Sequence, residues 1–229
     1  MALKEYQRKR RFDVTPEPPP KVARVRKKKL SFVIQKHRAS HLHYDFRLEW
    51  QGVLLSWAVP KGPSLDPSSK RLAMAVEDHP LEYAKFEGII PAGEYGGGTV
   101  MVWDRGTYEP EEPDVGKSVR KGELKFTLHG EKLQGSWVLV RTRGESSRSW
   151  LLIKHRDEYA SAKKDITVSQ PRSVISKRLL AEIAFDAGGD VDKAASADPV
   201  EALQALIKNP RTRAPRKKAA VWHSNRAGS

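Results

Sequence analysis

The amino-acid sequence predicts an all-β fold, a single compact antiparallel β-barrel with a basic extended N-terminal arm and a short helical and disordered C-terminal extension. Two observations support this fold class. Short runs rich in β-branched and aromatic residues follow one another between residues 30 and 159, with turn signals between them. No helical spacing of apolar residues interrupts them. The pattern therefore favours an antiparallel barrel or sandwich over alternating strands and helices.

Nine runs are predicted to be strands, because each has a β-rich composition and lies at hairpin-like spacing from the next. In chain order they are SFVIQKHR, LHYDFRLEW, VLLSWAVP, RLAMAVED, YAKFEGII, TVMVWDRGTY, ELKFTLHG, SWVLVRTR and SWLLIKHR. Turns or loops are predicted at QG (51–52), KGPSLDPSS, PAGEYGGG and EPEEPDVGK. Four tryptophans in these strands are expected to fill the core or line its mouth: Trp57, Trp103, Trp137 and Trp150.

The charge distribution divides the chain into four segments. We predict a basic arm over 1–29, the barrel over 30–159, a linker with short helices over 160–207 and a disordered basic tail over 208–229. The net charge is +14, and the arm holds 11 Lys and Arg against 3 acids, while the tail holds 7 and none. Basic ends of this kind attract polyanions such as nucleic acid, although they also occur as solubilising, disordered termini.

Two segments of the predicted linker have helix signals. The spacing in SVISKRLLAEIAFDA predicts a helix that Ser173 could cap, and DPVEALQALIKN predicts a short helix with Asp198 as its cap and Pro199 at its first position. GGDVDKAASA between them is predicted to be irregular. In the arm, the run of three prolines at 18–20 excludes a helix.

Composition limits the classes of protein that this chain can represent. Cysteine is absent, so disulfides and thiolate metal sites are excluded and a transition metal would need His, Asp, Glu or water as ligands. No apolar run has the length of a signal peptide core or a membrane span. We therefore expect a monomeric cytoplasmic protein, associated with the nucleoid and not with a membrane.

The stretch HLHYDFRLEW, residues 41–50, alternates polar and apolar residues as a half-buried strand does. Its polar side carries His43, Asp45 and Arg47, and a tight hairpin would bring His37 close to them. An isolated histidine is usually an ordinary surface or core residue. Several histidines beside a carboxylate on one face instead indicate a metal site, and two His with one carboxylate leave coordination positions open.

Cationic and hydroxyl side chains around that face indicate a phosphate ester as the ligand. Arg47 could neutralise phosphate oxygens, and Lys61 and Arg71 add cations, or are solvated turn residues. His79 in EDHP is a candidate acid or hydrogen-bond donor, and Tyr83 could donate its hydroxyl unless it only packs. The glycine-rich PAGEYGGG precedes a strand and not a helix, so it does not match a nucleotide-binding loop.

Longer motifs in the same region resemble a known family. FVIQKHRASHLHYDFRLEWQGVLLSWAVPKGPSLDP and KRLAMAVEDHPLEYAKFEGIIPAGEYGGGTVMVWDRG are similar to the 3′-phosphoesterase domain of bacterial DNA ligase D. That domain acts in non-homologous end joining and also occurs as a stand-alone protein, and the resemblance covers about residues 5–156. It implies an antiparallel β-barrel and a manganese-dependent enzyme. The enzyme would remove a 3′-terminal ribonucleoside from DNA, and then the remaining 3′-phosphate, to give a 3′-OH.

The resemblance also implies roles for individual residues. It implies Mn²⁺, or another divalent transition metal, on His37, His43 and Asp45. It places Arg47, His79 and Tyr83 around the scissile phosphate as catalytic residues. Four further matches are expected to bind substrate: Arg10, Glu17, Lys61 and Arg71. At Arg11 the family has an aspartate, for which Asp13 could substitute, and this departure bears on ribonucleoside removal in particular.

Three functions remain open at this point. The expected one is a free-standing 3′-end phosphoesterase whose partners are DNA 3′ ends and end-joining proteins such as Ku, a ligase or a polymerase. The second is a catalytically weak module that binds DNA ends in a repair complex. The third is a non-haem iron oxygenase, because two histidines and a carboxylate also form its ligand set.

Overall fold

Eight antiparallel strands form a closed ring in the computed structural model of this protein, which describes residues 3–24, 29–143 and 146–208. The ring order is β1-β2-β3-β4-β9-β8-β7-β6 and closes through pairing of β6 with β1, while β5 pairs with β6 outside the ring. This confirms the predicted barrel. The strands are Leu30–Arg38, Leu42–Trp50, Val53–Val59, Arg71–Pro80, Gly88–Ile90, Gly98–Pro110, Glu123–Gly130, Gln134–Arg141 and Ser149–Lys154 for β1 to β9.

Six short helices and one 3-10 helix complete the fold of the described residues. The helices α1 to α6 are Lys4–Arg8, Val115–Lys121, Ile166–Ser169, Leu180–Ala187, Val191–Ala195 and Val200–Lys208, and the 3-10 helix is Leu81–Lys85. Four of these lie where the sequence predicted other structure: α1 is in the arm that was predicted to be extended, α5 is in the stretch that was predicted to be irregular, and the other two are in the barrel. The predicted strand YAKFEGII is the 3-10 helix followed by the three residues of β5, and the predicted loop EPEEPDVGK runs into α2, which Asp114 caps.

The barrel interior is apolar and aromatic. Because side chains alternate along a strand, Phe46 and Leu48 of β2 point inward, whereas His43, Asp45 and Arg47 point to the outer wall. All four tryptophans predicted to lie in strands are buried: Trp57, Trp103, Trp137 and Trp150.

Strand β6 contains a bulge, and its residues contribute both to the barrel interior and to the outer wall. Along β1, Ile34 pairs with Asp104 but the next residue, Gln35, pairs with Val102, so Trp103 is an extra residue on β6. Trp103 belongs to the interior cluster, and Val102 belongs to a second apolar cluster on the outer wall.

The C-terminal extension contributes to the barrel core. Leu180, Ile183 and Ala184 of α4 are fully buried in the same cluster as the barrel tryptophans. The predicted helix over 173–187 begins only at Leu180, because Lys177 has a left-handed backbone with φ of 60° that a continuous helix cannot contain.

The sequence predicted that Asp198 caps the last helix, and this prediction is wrong. The Asp198 carboxylate lies in the interior, where it accepts a hydrogen bond from the backbone N–H of Ala181 at 2.9 Å and pairs with the ammonium of Lys36 at 3.1 Å. Both side chains of this ion pair are essentially inaccessible to water. The pair therefore joins β1 to the extension, and the N–H groups of α6 are not its partners.

The N-terminal arm covers part of the outer wall. Leu3 and Tyr6 are buried there beside Val33 and Leu54, and the Tyr6 hydroxyl donates to the carbonyl of Pro18 at 2.7 Å. The tail predicted over 208–229 lies outside the described residues except for Lys208, which ends α6. In the described part of the chain, no helix is long and apolar enough to cross a membrane.

Candidate metal centre and phosphate pocket

Strand pairing brings the polar outer-wall residues together. In β1 and β2, His37 lies opposite His43, and Gln35 lies opposite Asp45. The next strands continue the same row, because Arg47 pairs with Ser56 of β3. His79 then follows in β4, paired with Leu54 of β3. The site is thus built on four neighbouring strands, outside the barrel and not at its mouth.

His37, His43 and Asp45 form a group that could hold a metal ion. One ligand atom of each lies within 4.8 Å of the others. The Asp45 Oδ2 atom is 3.7 Å from His37 Nδ1 and 3.7 Å from His43 Nε2. Ligands about 2.1 Å from one ion lie at most about 4.2 Å apart, so small side-chain shifts would complete the coordination.

Backbone carbonyls fix the tautomers of both histidines. His37 Nε2 donates to the carbonyl of Gly96 at 2.8 Å, and His43 Nδ1 donates to the carbonyl of His41 at 3.1 Å. Since a carbonyl only accepts, the other nitrogen of each ring is the one left to coordinate a metal, and that nitrogen faces Asp45. Gly96 has φ of 78°, which favours glycine at this position.

The charges of this group also fit a cation. Burial raises the pKa of Asp45, but the Arg47 guanidinium and the neighbouring imidazoles outweigh it and hold the pKa well below the usual value. Burial lowers the pKa of His43, and Asp45 opposes that effect only in part. At neutral pH the group therefore offers a carboxylate and a neutral imidazole, the protonation states that metal binding requires.

Arg47 is buried and held by three neighbours. Its guanidinium donates to Gln35 Oε1 at 2.9 Å and to Ser56 Oγ at 2.8 Å, and its Nη2 lies 3.1 Å from Asp45 Oδ2. The same guanidinium lies over the ring of Tyr83, 5.0 Å from its centroid. A fixed guanidinium beside a metal-ligand group is suited to binding phosphate oxygens.

His79 lies between two guanidinium groups. Its Nδ1 donates to the carbonyl of Glu77 at 2.9 Å, and its Nε2 accepts from Arg10 at 3.1 Å; Arg47 Nη1 is 2.9 Å from Nδ1. Burial, and then the charges of Arg47 and Arg10, lower the pKa of His79 well below its ordinary value. His79 is therefore neutral at pH 7 in this arrangement. Its role as an acid stays a prediction.

The arm adds Arg10 and Glu17 to the pocket. Arg10 donates to Glu17 at 2.8 Å and to Glu77 at 3.1 Å, and it stacks on Tyr6. The Tyr83 hydroxyl donates to the same Glu17 oxygen at 3.0 Å, and burial and the charge of Glu17 raise the pKa of Tyr83.

Two predicted site residues, Lys61 and Arg71, lie apart from these contacts, as does Arg11, which stands where the family has an aspartate. Arg11 forms an ion pair with Glu94 of the glycine-rich loop. Lys61 is exposed in the turn after β3. Arg71 begins β4 near Asp66, whose pKa is lowered by hydrogen bonds from Ser68 and more weakly by the Arg71 charge. In the described residues, no hydrogen bond or ion pair joins Lys61 or Arg71 to the metal-ligand group.

Sequence reasoning missed the residues that orient the site. Gln35 and Ser56 hold Arg47, Glu77 holds Arg10, and Gly96 holds His37 through its carbonyl. Gln35 could have been found, since it shares the strand face of His37 two residues away. The role of Gly96 could not have been found, because a contact made by a backbone carbonyl leaves no signal in the sequence.

Comparison with known proteins identifies the family of this barrel. A family model described as the DNA Ligase D 3′-phosphoesterase domain matches residues 35–141. This part of the chain belongs to the family of DNA ligase D 3′-phosphoesterase domains. The match includes the metal-ligand group, Arg47, His79 and Tyr83, whereas Arg10 and Glu17 precede it.

Curated relatives of this phosphoesterase family extend the similarity beyond those residues. The chain is 53% identical over 183 residues to the multifunctional non-homologous end joining protein LigD of Pseudomonas aeruginosa, covering 78% of this chain and 22% of that protein. It is 46% identical over 156 residues to the LigD repair protein of Mycobacterium tuberculosis, covering 68% of this chain and 20% of that protein. The chain thus spans about a fifth of these relatives.

Proposed function

We propose that this chain is a metal-dependent phosphoesterase that processes DNA 3′ ends during non-homologous end joining. It removes a 3′-terminal ribonucleoside and a 3′-phosphate, leaving a 3′-OH. The observation that carries this proposal is the group of His37, His43 and Asp45 beside the buried guanidinium of Arg47. The family of the barrel and the names of its relatives support DNA ends as the substrate.

The donor set fits Mn²⁺ or a similar divalent transition metal, since it combines two imidazole nitrogens with one carboxylate and no thiolate. When bound to His37, His43 and Asp45, the metal would supply Lewis-acid polarisation of a phosphate oxygen.

The chain's own residues would then bind and orient the phosphate. Arg47 supplies a guanidinium that Gln35 and Ser56 prevent from turning away. Neutral His79 separates Arg47 from Arg10 without adding a third positive charge. Positive charge on one side of a phosphate stabilises the charge that builds on its oxygens in the transition state.

In the ribonucleoside step, water adds to phosphorus and the bond from phosphorus to O5′ of the terminal nucleoside breaks. The bonding pair goes to O5′, which takes up a proton, and the phosphate stays on the strand. In the second step, water adds again, the bond from phosphorus to the 3′-oxygen breaks, and that oxygen takes up a proton. The products are inorganic phosphate and a 3′-OH.

A paired substitution tests the proposal. The purified protein would be given a primer–template that ends in 3′-phosphate, with and without Mn²⁺. His43→Ala removes a ligand, whereas His41→Ala removes an exposed imidazole that lies just before β2 and is not in the group. We expect Mn²⁺-dependent phosphate release that the first variant loses and the second retains.

Other results would contradict the proposal. DNA binding without phosphate release in the unsubstituted protein would support the DNA-end-binding module instead. Oxygen uptake that depends on ferrous iron and is indifferent to DNA would support the oxygenase. Equal phosphate release by the two variants would exclude His43 as a ligand.

A further inference from the structure

A cavity of about 860 Å³ adjoins the metal-ligand group, and the contacts of the phosphate pocket leave it unused. It is lined by the glycine-rich loop and the strands β5 and β6 on either side of it, by the residues that follow β1, by the arm, and by the segment from the end of α4 into α5. Its volume is within the range of about 300–1,000 Å³ that small-molecule sites occupy.

The cavity reaches the metal-ligand group through Gly96. Gly96 lines the cavity, and its carbonyl accepts the hydrogen bond that fixes the His37 ring. Pro16 also lines it and directly precedes Glu17, which holds Arg10 and Tyr83. A molecule in the cavity would therefore lie beside the phosphate pocket.

The lining is suited to a group without phosphate. Ile89, Ile90 and Pro91 offer apolar surface. Its only charged side chains in the described part of the chain are Glu94, Asp190 and Lys193, and Glu94 is already paired with Arg11. Binding of a DNA backbone relies on an excess of Lys and Arg against its phosphates, which this lining lacks.

We propose that this cavity receives the terminal nucleoside that departs during ribonucleoside removal. This inference rests on the proposed function. A nucleoside released at O5′ carries no phosphate, has a flat base for the apolar surface and has hydroxyls for the polar groups of the lining. Removal of a 3′-phosphate involves no such nucleoside, so the cavity contributes to only one of the two reactions.

Filling the cavity separates the two reactions. Ala92 of the glycine-rich loop and Ala187 at the end of α4 both line it, are exposed, and come from different segments. Ala92→Trp and Ala187→Trp would place an indole in the cavity. Ala205→Trp is the matched control, because Ala205 is exposed on α6 and lies outside the lining.

Each protein would be assayed on two primer–templates of the same sequence, one ending in a single ribonucleotide and one in a 3′-phosphate. For both cavity variants, we expect kcat/KM for ribonucleoside release to fall about tenfold more than kcat/KM for phosphate release. In the control, the ratio of the two constants should stay within about twofold of the unsubstituted protein.

Three results would overturn the inference. An equal loss of both activities would mean that the cavity holds the DNA strand or that the indole distorts the site. No loss in either cavity variant would mean that the cavity is not used. Phosphate release without any ribonucleoside release by the unsubstituted protein would remove the proposed occupant. Failure of both reactions in that protein would instead refute the proposed function itself. Ala92→Leu, a smaller change, should shift the ratio in the same direction.

Discussion

The two segments that flank the ring are attached to it in different ways. The arm lies on the outer wall, where Arg10 forms ion pairs with Glu17 and Glu77 beside the phosphate pocket. The extension closes the interior, where Leu180 and Ile183 of α4 join the apolar core. Both segments bury apolar side chains, but the ion pairs of the arm lie at the site, whereas the Lys36–Asp198 pair of the extension lies away from it.

This difference separates the chemistry from the stability of the fold. Buried ion pairs contribute little net stability after the desolvation of both charges, but they define position closely. Burial of apolar side chains contributes about 25 cal/mol per Å² and is indifferent to orientation. Substitutions in the arm should therefore affect catalysis most, and those in the extension should affect unfolding most.

The largest effect is expected for Asp198→Ala. It leaves the Lys36 ammonium buried without its partner, which should lower the free energy of unfolding by about 3–5 kcal/mol. Urea unfolding measures the change. The double variant Lys36→Met with Asp198→Ala removes both charges and should recover most of the loss. A double variant no more stable than Asp198→Ala would show that the charge pair is not the cause.

In the arm, Arg10→Lys keeps the charge but cannot reproduce the planar contacts with Glu17, Glu77 and His79. We expect kcat/KM on a 3′-phosphate end to fall about 10- to 100-fold, with the urea midpoint changing little. Arg8→Lys is the control, because Arg8 is exposed and pairs only with Glu5 among the described residues. Equal activity of the two variants would place Arg10 outside the reaction.

The attachment of the extension should depend on pH through Lys132. Its ammonium donates to the carbonyls of Gln170 and Arg172, and burial, opposed by Asp104, lowers its pKa to about 7. Between pH 7 and 10 the unfolded chain binds more protons than the folded one, so stability should rise with pH, by about 3 kcal/mol from this group. Lys132→Met should flatten that rise in urea unfolding series at several pH values. An unchanged slope would refute the assignment.

The smallest effect is expected for Arg11→Ala. The ion pair of Arg11 with Glu94 is exposed on the arginine side, and such pairs contribute little. Phosphate release should change by less than about threefold. A large loss would mean that this arginine takes over the role that the family resemblance gives to an aspartate.

Much of the architecture could be predicted because apolar and polar residues alternate along a strand that has one buried face. The alternation in β2 also predicted that His43, Asp45 and Arg47 share a face, and the hairpin predicted that His37 comes close to them; in the structure His37 lies opposite His43. Helix signals were less reliable. Asp198 has the form of a helix cap, but burial opposite Lys36 decides its partner, and that residue is distant in sequence.

The parts of the site that could not be predicted depend on backbone and on distant contacts. The carbonyl that fixes His37 belongs to Gly96, and the pKa of His79 depends on two arginines from other segments. The arm was predicted as an extended basic segment, yet Arg10 and Arg11 have acidic partners in the fold. Because Arg10 and Arg11 are paired with acids, they do not act as a free basic tail that binds polyanions.

The extra residue in β6 has a consequence for how this protein can vary. Ahead of the bulge, Val102 faces the wall beneath the arm, and at the bulge Trp103 faces the interior. Loss of Trp103 would remove an indole from the core but leave Ile34 paired with Asp104 and Gln35 with Val102, whereas loss of another residue of β6 would invert the orientation of every side chain on one side of the deletion. Insertions and deletions should consequently be tolerated in the loops of this barrel long before they are tolerated in its sixth strand.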